Sequence, residues 1–272
     1  TLNYMTPSIE TLYSGYILTS YRQISAYDVA GLYEGMNQHY ALKYDFKNIL
    51  SMSFAGAEVS WYRQSPEVLY GSYYDGIVQH TISRHTSENS DMLSAKVHAS
   101  QGFDWRRLKI GASVTYSYYD SPLLVQDAVV RYTGNSFGVN ANISLTPFKW
   151  LSVSYQGNYS QSATQQKGQE RFPWLRTVTN KGTLDFTIPG GVTLTASLYH
   201  YYNNFNDGDR SFLLLNAEAK YTIKRFSFTL SCDNLLNRKS YLYSSLSALT
   251  ESKAIYNIRP RSLLLKIRFR IF

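Results

Sequence analysis

A single cysteine, Cys232, in 272 residues excludes an internal disulfide and a cysteine metal cluster. Long apolar runs are missing as well: FLLL (212–215) and LLL (263–265) fall far short of the roughly 18 residues of a membrane helix. Charged residues reach only 17% of the chain, below the usual quarter. Their balance is basic, 27 Lys and Arg against 19 Asp and Glu, a formal +8. The basic residues are scattered over many segments and no nucleic-acid motif accompanies them, so nucleic acid is not the expected partner. What the chain has in excess is tyrosine, 25 residues against 13 Phe. An apolar ring with a polar tip suits a boundary between water and an oily phase.

The dominant pattern has period two, which in a strand sends successive side chains to opposite faces. Tyr40, Leu42, Tyr44 and Phe46 alternate with His39, Ala41, Lys43 and Asp45. Leu93, Ala95, Val97 and Ala99 alternate with Ser94, Lys96, His98 and Ser100. From 107 to 118, and over 137–146, 151–160, 192–199, 213–223, 226–232 and 262–271, the chain behaves alike. One face is apolar; the other is Ser, Thr, Asn, Gln and Gly with few charges. Several stretches are long enough for a tilted bilayer-crossing strand of about 9–11 residues. Strands are expected near 9–20, 38–47, 50–63, 91–101, 106–119, 132–146, 150–161, 174–188, 191–202, 210–223, 225–233 and 260–272. An extra strand or loop hairpin at 76–86 brings the total to about 12–14. A phase change near Ala55 and Gly56 predicts a bulge.

The connections alternate in kind. TPFKW (146–150), IPGG (188–191), IKR (223–225) and GFDW (102–105) read as tight turns, whereas 120–130, 161–174 and 202–210 read as longer polar segments. Short turns at one end and long loops at the other describe an all-β fold, a transmembrane antiparallel β-barrel, in preference to a soluble β-sandwich.

DNLLN (233–237), a spacer, YNIRPR (256–261) and a terminal amphipathic strand follow one another in this order. Together they resemble the C-terminus of TonB-dependent outer-membrane receptors, through Asn234, Leu235, Leu236 and Asn237, with Leu236 in place of the usual Phe, and through Tyr256, Arg259, Pro260 and Arg261. The strand pattern extends the resemblance over residues 1–272. The resemblance implies multi-pass residence in the cell outer membrane and energised uptake of a bulky nutrient of the glycan, siderophore, haem or peptide class. The implied partners are membrane lipid, the TonB complex, a surface lipoprotein, the nutrient, and the barrel-assembly machinery, which reads a terminal aromatic signal. Phe269, Ile271 and Phe272 are the residues here for that signal, with Phe272 one step out of phase. Receptors of this family are 22-stranded barrels around an N-terminal plug. No plug-like sequence is present, and the chain opens at TLNYMTPSIE without an initiator Met or signal peptide, so it reads as the C-terminal portion of such a barrel, with the plug and TonB-contacting segment outside it.

Chemistry is thinly represented. His39, His80, His85, His98 and His200 are scattered without metal spacing, so no metal or cofactor is expected. His98 with Ser94 or Ser100 is the only hint of a hydrolase, and polar lumen residues explain it as well; no catalytic residue is assigned. Lys43, Lys96, Arg107, Lys109, Lys220, Lys266 and Arg268 read as lumen-facing charges, and Tyr70, Tyr73 and Tyr74 as loop or interface tyrosines. The alternative is a stand-alone barrel of about 12–14 strands acting as a passive channel, an autotransporter translocator or an outer-membrane hydrolase. In its smallest closed form, residues 11–18 pair with 263–271.

Overall fold

The computed structural model describes residues 1–5, 16–21, 23–26, 34–76, 78–206, 208, 210–248 and 250–270. Strands dominate: β1 (Leu2–Met5), β2 (Tyr16–Ser20), β3 (Gln23–Ala26), β4 (Gly35–Asn48), β5 (Ser53–Pro66), β6 (Val68–Asp75), β7 (Val78–His85), β8 (Ser90–Phe103), β9 (Leu108–Val125), β10 (Ala128–Phe148), β11 (Leu151–Gln166), β12 (Leu175–Ile188), β13 (Val192–Asn203), β14 (Ser211–Ile223), β15 (Phe226–Asp233), β16 (Ser240–Ser247), β17 (Thr250–Asn257) and β18 (Ser262–Phe269). Twelve of them lie side by side as β1-β4-β5-β8-β9-β10-β11-β12-β13-β14-β15-β18. Every pairing on this path is antiparallel. β1 and β18 form the two ends of the path, and among the described residues they do not pair, so the sheet stays open.

Register turns the alternation of single strands into two continuous faces. Leu42 faces Val59, then Ala95, Tyr116 and Phe137, while one residue away Lys43 faces Glu58, then Lys96, Thr115 and Gly138. The apolar face is uncovered: Leu42 is 78% exposed and Leu265 61%. The buried hydrophobic side chains among the described residues are Val68, Leu124, Ala163 and Leu175, all at the ends of strands away from the tight turns. Among the described residues no second layer packs on the apolar side, which is an unusually large patch for a water-soluble surface. Aromatic rings lie at both ends of it. Phe148, Trp150 and Phe186 stack near the tight turns at 5.0 and 6.1 Å, and Tyr40 stacks on Trp61 at 5.5 Å toward the other end.

The tight turns at 103–108, 148–151, 188–192 and 223–226 share one end of the sheet with the β4–β5 turn. At 188–192 the chain needs glycine: Gly191 has φ +88°, and a Cβ there would overlap the Thr222 carbonyl oxygen. At the opposite end lie β6–β7, a hairpin inserted between β5 and β8, and β16–β17, a hairpin inserted between β15 and β18.

Several expectations need correction. Residues 9–15 of the strand expected at 9–20 lie outside the described residues, and Tyr16–Ser20 pairs with β3 instead of β18; the β4 edge is taken by Leu2–Met5. No bulge occurs at Ala55 and Gly56, because β5 runs in unbroken register with both neighbours. The phase change arises from composition: Phe54 sits on the polar face, and Gly56 makes room for the His98 ring, which a Cβ would strike. Residues 120–130 are not a loop. β9 and β10 pair through them to a two-residue turn at Gln126 and Asp127, both at positive φ as the hairpin twist requires. Arg107 ends a 3-10 turn, Trp105–Arg107, and does not join the strand's polar face.

Gly191→Ala is expected to lower stability by about 1–3 kcal/mol, since it forces a side chain into left-handed backbone against a carbonyl. Gly182→Ala, where a Cβ meets nothing within 4 Å, serves as the control. Urea unfolding of the two variants, followed by tryptophan fluorescence, measures the difference.

Candidate functional site: a strapped cavity on the polar face

The site begins with two asparagines of DNLLN. Asn234 and Asn237 adopt φ of 54° and 51°, the left-handed region that Asn tolerates better than other side-chain-bearing residues. Asn234 is 2% exposed. Its Nδ2 donates to the carbonyl oxygens of Arg238 at 2.7 Å and Arg259 at 3.0 Å, and its Oδ1 accepts from the Arg238 N–H at 2.8 Å. Its own N–H donates to Asn216 Oδ1 at 2.8 Å. The Arg261 N–H donates to Asn237 Oδ1 at 3.2 Å, and the Ile258 N–H to the Lys239 carbonyl at 2.8 Å. One side chain thus ties the exit from β15 to the approach to β18. The insertion between them is pinched at its neck.

From that neck the β16–β17 hairpin lies over the polar face. Tyr241 packs on Phe212 at 5.4 Å and edge-on to Tyr201 at 6.5 Å, while Tyr256 stacks on Tyr241 at 5.1 Å. Asn203, fully buried, donates to the Ser244 carbonyl at 2.9 Å. Buried Asn206 donates to the Leu242 carbonyl at 2.9 Å and accepts from Ser244 Oγ at 2.8 Å. Farther along, Ser247, Ala248 and Thr250 line one cavity of about 690 Å³ together with Leu123, Leu124, Val125 and Gln126 of the β9–β10 tip. An eight-residue strand spans roughly 27 Å. The hairpin therefore acts as a strap from β13 and β14 toward β9.

Beneath the strap's root is a second cavity, of about 520 Å³. Two adjacent register rows floor it. One runs Asn140, Asn158, Thr179, Tyr201, Phe212 across β10 to β14; the next runs Gln156, Lys181, Tyr199, Leu214 across β11 to β14. Amides occupy one end and aromatic rings the other. The Lys181 ammonium lies 5.2 Å over the Tyr199 ring.

The remaining residues singled out from sequence fall as follows. Leu235 donates its N–H to the Leu215 carbonyl at 2.8 Å, Leu236 is 43% exposed, and Pro260 is exposed beside the neck. Phe269 packs on Phe226 at 4.9 Å on the apolar face; Ile271 and Phe272 lie outside the described residues. Lys43, Lys96, Lys109, Lys220, Lys266 and Arg268 share the polar face by register, but Glu58 sits between Lys43 and Lys96, and Asp45 pairs with Lys43 at 3.3 Å. No hydrogen bond joins His98 to Ser94 or Ser100, and no group of three His, Cys, Asp or Glu is placed to hold a metal among the described residues. His80 stacks on Tyr73 at 4.9 Å in the β6–β7 hairpin. At the loop end, past the apolar band, Arg63 donates to Asp91 at 2.8 Å and holds that carboxyl below the usual carboxylate range.

Sequence reading missed the strap, the asparagine pair Asn203 and Asn206 that docks it, and the cavity floor. The available signal was the run SYLYSSLS at 240–247, whose Ser content resembles a polar loop until its partner strand is known. Asn234→Ala removes three side-chain hydrogen bonds at about 1 kcal/mol each. The expected result is at least tenfold faster tryptic cleavage at Arg238, Lys239 and Lys253 with the sheet intact, measured by timed proteolysis and mass spectrometry.

No family model matches this chain, and no curated protein matches it.

Proposed function

We propose that the chain is the C-terminal part of the barrel of a TonB-dependent receptor in the outer membrane, taking up a bulky nutrient. The observation that carries this reading is the pairing of an uncovered apolar face with a strapped polar face across one antiparallel sheet. In such a barrel the apolar face meets lipid and the polar face lines the lumen. Unpaired N–H and C=O groups of sheet edges are costly in lipid, so the edges at β1, β4 and β18 join strands supplied elsewhere in the same polypeptide. Extracellular loops capture the nutrient; the plug, outside these residues, releases it under force from TonB. The neck at Asn234 and Asn237 supports the reading because it gives the DNLLN and YNIRPR segments a shared structural task.

The first test is the mass and location of the native polypeptide, detected with an antibody to residues 256–270. A heat-modifiable outer-membrane band well above 31.2 kDa is expected. A soluble product, or an outer-membrane product of this size, would sink the receptor reading. The second test separates the faces. Val114→Arg, in the middle of the apolar face, is expected to lower stability in lipid by about 2–4 kcal/mol. Thr115→Arg, one residue on and facing the other side, is expected to be nearly neutral. Equal effects in vesicle refolding would argue against a lipid-facing surface.

A further inference from the structure

We propose that the cavity beneath the strap binds a neutral, polyhydroxylated ligand, an oligosaccharide, with a sugar ring against Tyr199 and its hydroxyls on the amides of Asn158 and Gln156. The inference rests on the receptor reading and names the class of its cargo.

The chemistry follows from the floor. Asn140, Asn158 and Gln156 make no side-chain hydrogen bond to any described residue, although each can both donate and accept. Asn140 and Asn158 face each other across neighbouring strands, about 4.8 Å apart, and Gln156 lies two residues along β11 from Asn158, about 7 Å away. A ligand that satisfies them must itself carry closely repeated groups that donate and accept. Hydroxyls of a sugar chain do so; a flat aromatic macrocycle does not. At the other end of the rows the Tyr199 ring is 38% exposed, offering a face on which the C–H side of a pyranose can lie. Tyr241 closes that end from above.

Charge narrows the class further. No Asp or Glu is among the described residues lining the cavity, which leaves nothing to attract a cationic peptide. Lys181, the one Lys or Arg among the described residues lining the cavity, has its ammonium engaged 5.2 Å over the Tyr199 ring. Aromatic surface, convergent neutral polar groups and a volume of about 520 Å³ are the makings of a site for an uncharged polar ligand.

The experiment uses the complete native polypeptide, purified in detergent from outer membranes and applied to an array of neutral and acidic oligosaccharides. Binding of at least one neutral oligosaccharide is expected. Tyr199→Ala and Asn158→Ala should each weaken it at least tenfold by calorimetry. Tyr199→Phe should restore affinity to within threefold, and Lys220→Gln, outside the cavity, should leave it unchanged. Heat-modifiable migration of each variant checks folding. No binding, binding confined to acidic oligosaccharides, or affinity unmoved by Tyr199→Ala and Asn158→Ala overturns the proposal. Uptake in cells separates the two readings. Uptake of the bound sugar that ignores the proton-motive force removes TonB but leaves the sugar site. Energised uptake of a non-sugar cargo leaves TonB and removes the sugar site.

Discussion

Unbroken register is the constraint on which everything else in this molecule depends. A one-residue slip in any ladder would send a whole strand's apolar set to the other face. From β4 to β15 the ladders run without a slip, apart from one irregularity beside the turn between Leu145 and Phe148. The chain guards this continuity where it turns. Gln126 and Asp127 accept positive φ in a two-residue hairpin, and Gly190 and Gly191 do so at the tight end. Side-chain packing contributes little to register here, since so few side chains are buried. Backbone ladders and turn geometry do the specifying.

Against that uniform sheet, the strap is what makes one part of the polar face different from the rest. Amides fix it at the neck and along β16: Asn234 holds the neck, and Asn203 and Asn206 hold the carbonyls of Ser244 and Leu242. Buried amides are costly unless satisfied, and these are satisfied by carbonyls that only the docked hairpin presents. The strap is thus coupled to the sheet by complementarity of polar groups, with Tyr241 and Tyr243 supplying ring contacts to Tyr201 and Phe212. A ligand under the strap would touch the same rings, so hairpin position and cavity shape are linked through Tyr201, Phe212 and Tyr241.

Legibility from sequence followed the strength of the period. Strands such as β8 and β13 were found within a few residues because apolar and polar residues alternate along most of their length, with His200 as the break in β13. The continuation of β9 and β10 was missed because Pro122 and the Gln126–Asp127 pair resemble loop chemistry, and only the facing strand makes Leu123 and Leu124 part of a ladder. β5 was misjudged as bulged for a related reason: Phe54 and Gly56 exchange the expected residue types on the polar face, which sequence cannot tell from a shift of register. The cavity floor was invisible for a deeper reason. Asn158 and Tyr199 are 41 residues apart and come together only through three strands in register, so no local window contains the site.

The polar residues on the apolar face complete the physical picture. Asn180 and His200 fall there by register, where a lipid phase would leave their groups unsatisfied. They form a chain across four strands: Tyr155 Oη donates to Asn180 Oδ1 at 2.7 Å, Asn180 Nδ2 meets His200 Nδ1 at 3.0 Å, and His200 Nε2 meets Ser211 Oγ at 2.9 Å. Tyr116 donates to Asn135 at 2.8 Å and Tyr159 to Gln161 at 2.9 Å on the same face. The amides on the other face, at Asn140, Gln156 and Asn158, have no side-chain hydrogen-bond partner among the described residues. Paired polar groups on the apolar face and free amides on the polar face are what separate a surface that keeps no hydrogen-bonding capacity to spare from one that retains it for water or a ligand. That difference is the one the proposed placement of lipid on the first face and water on the second requires.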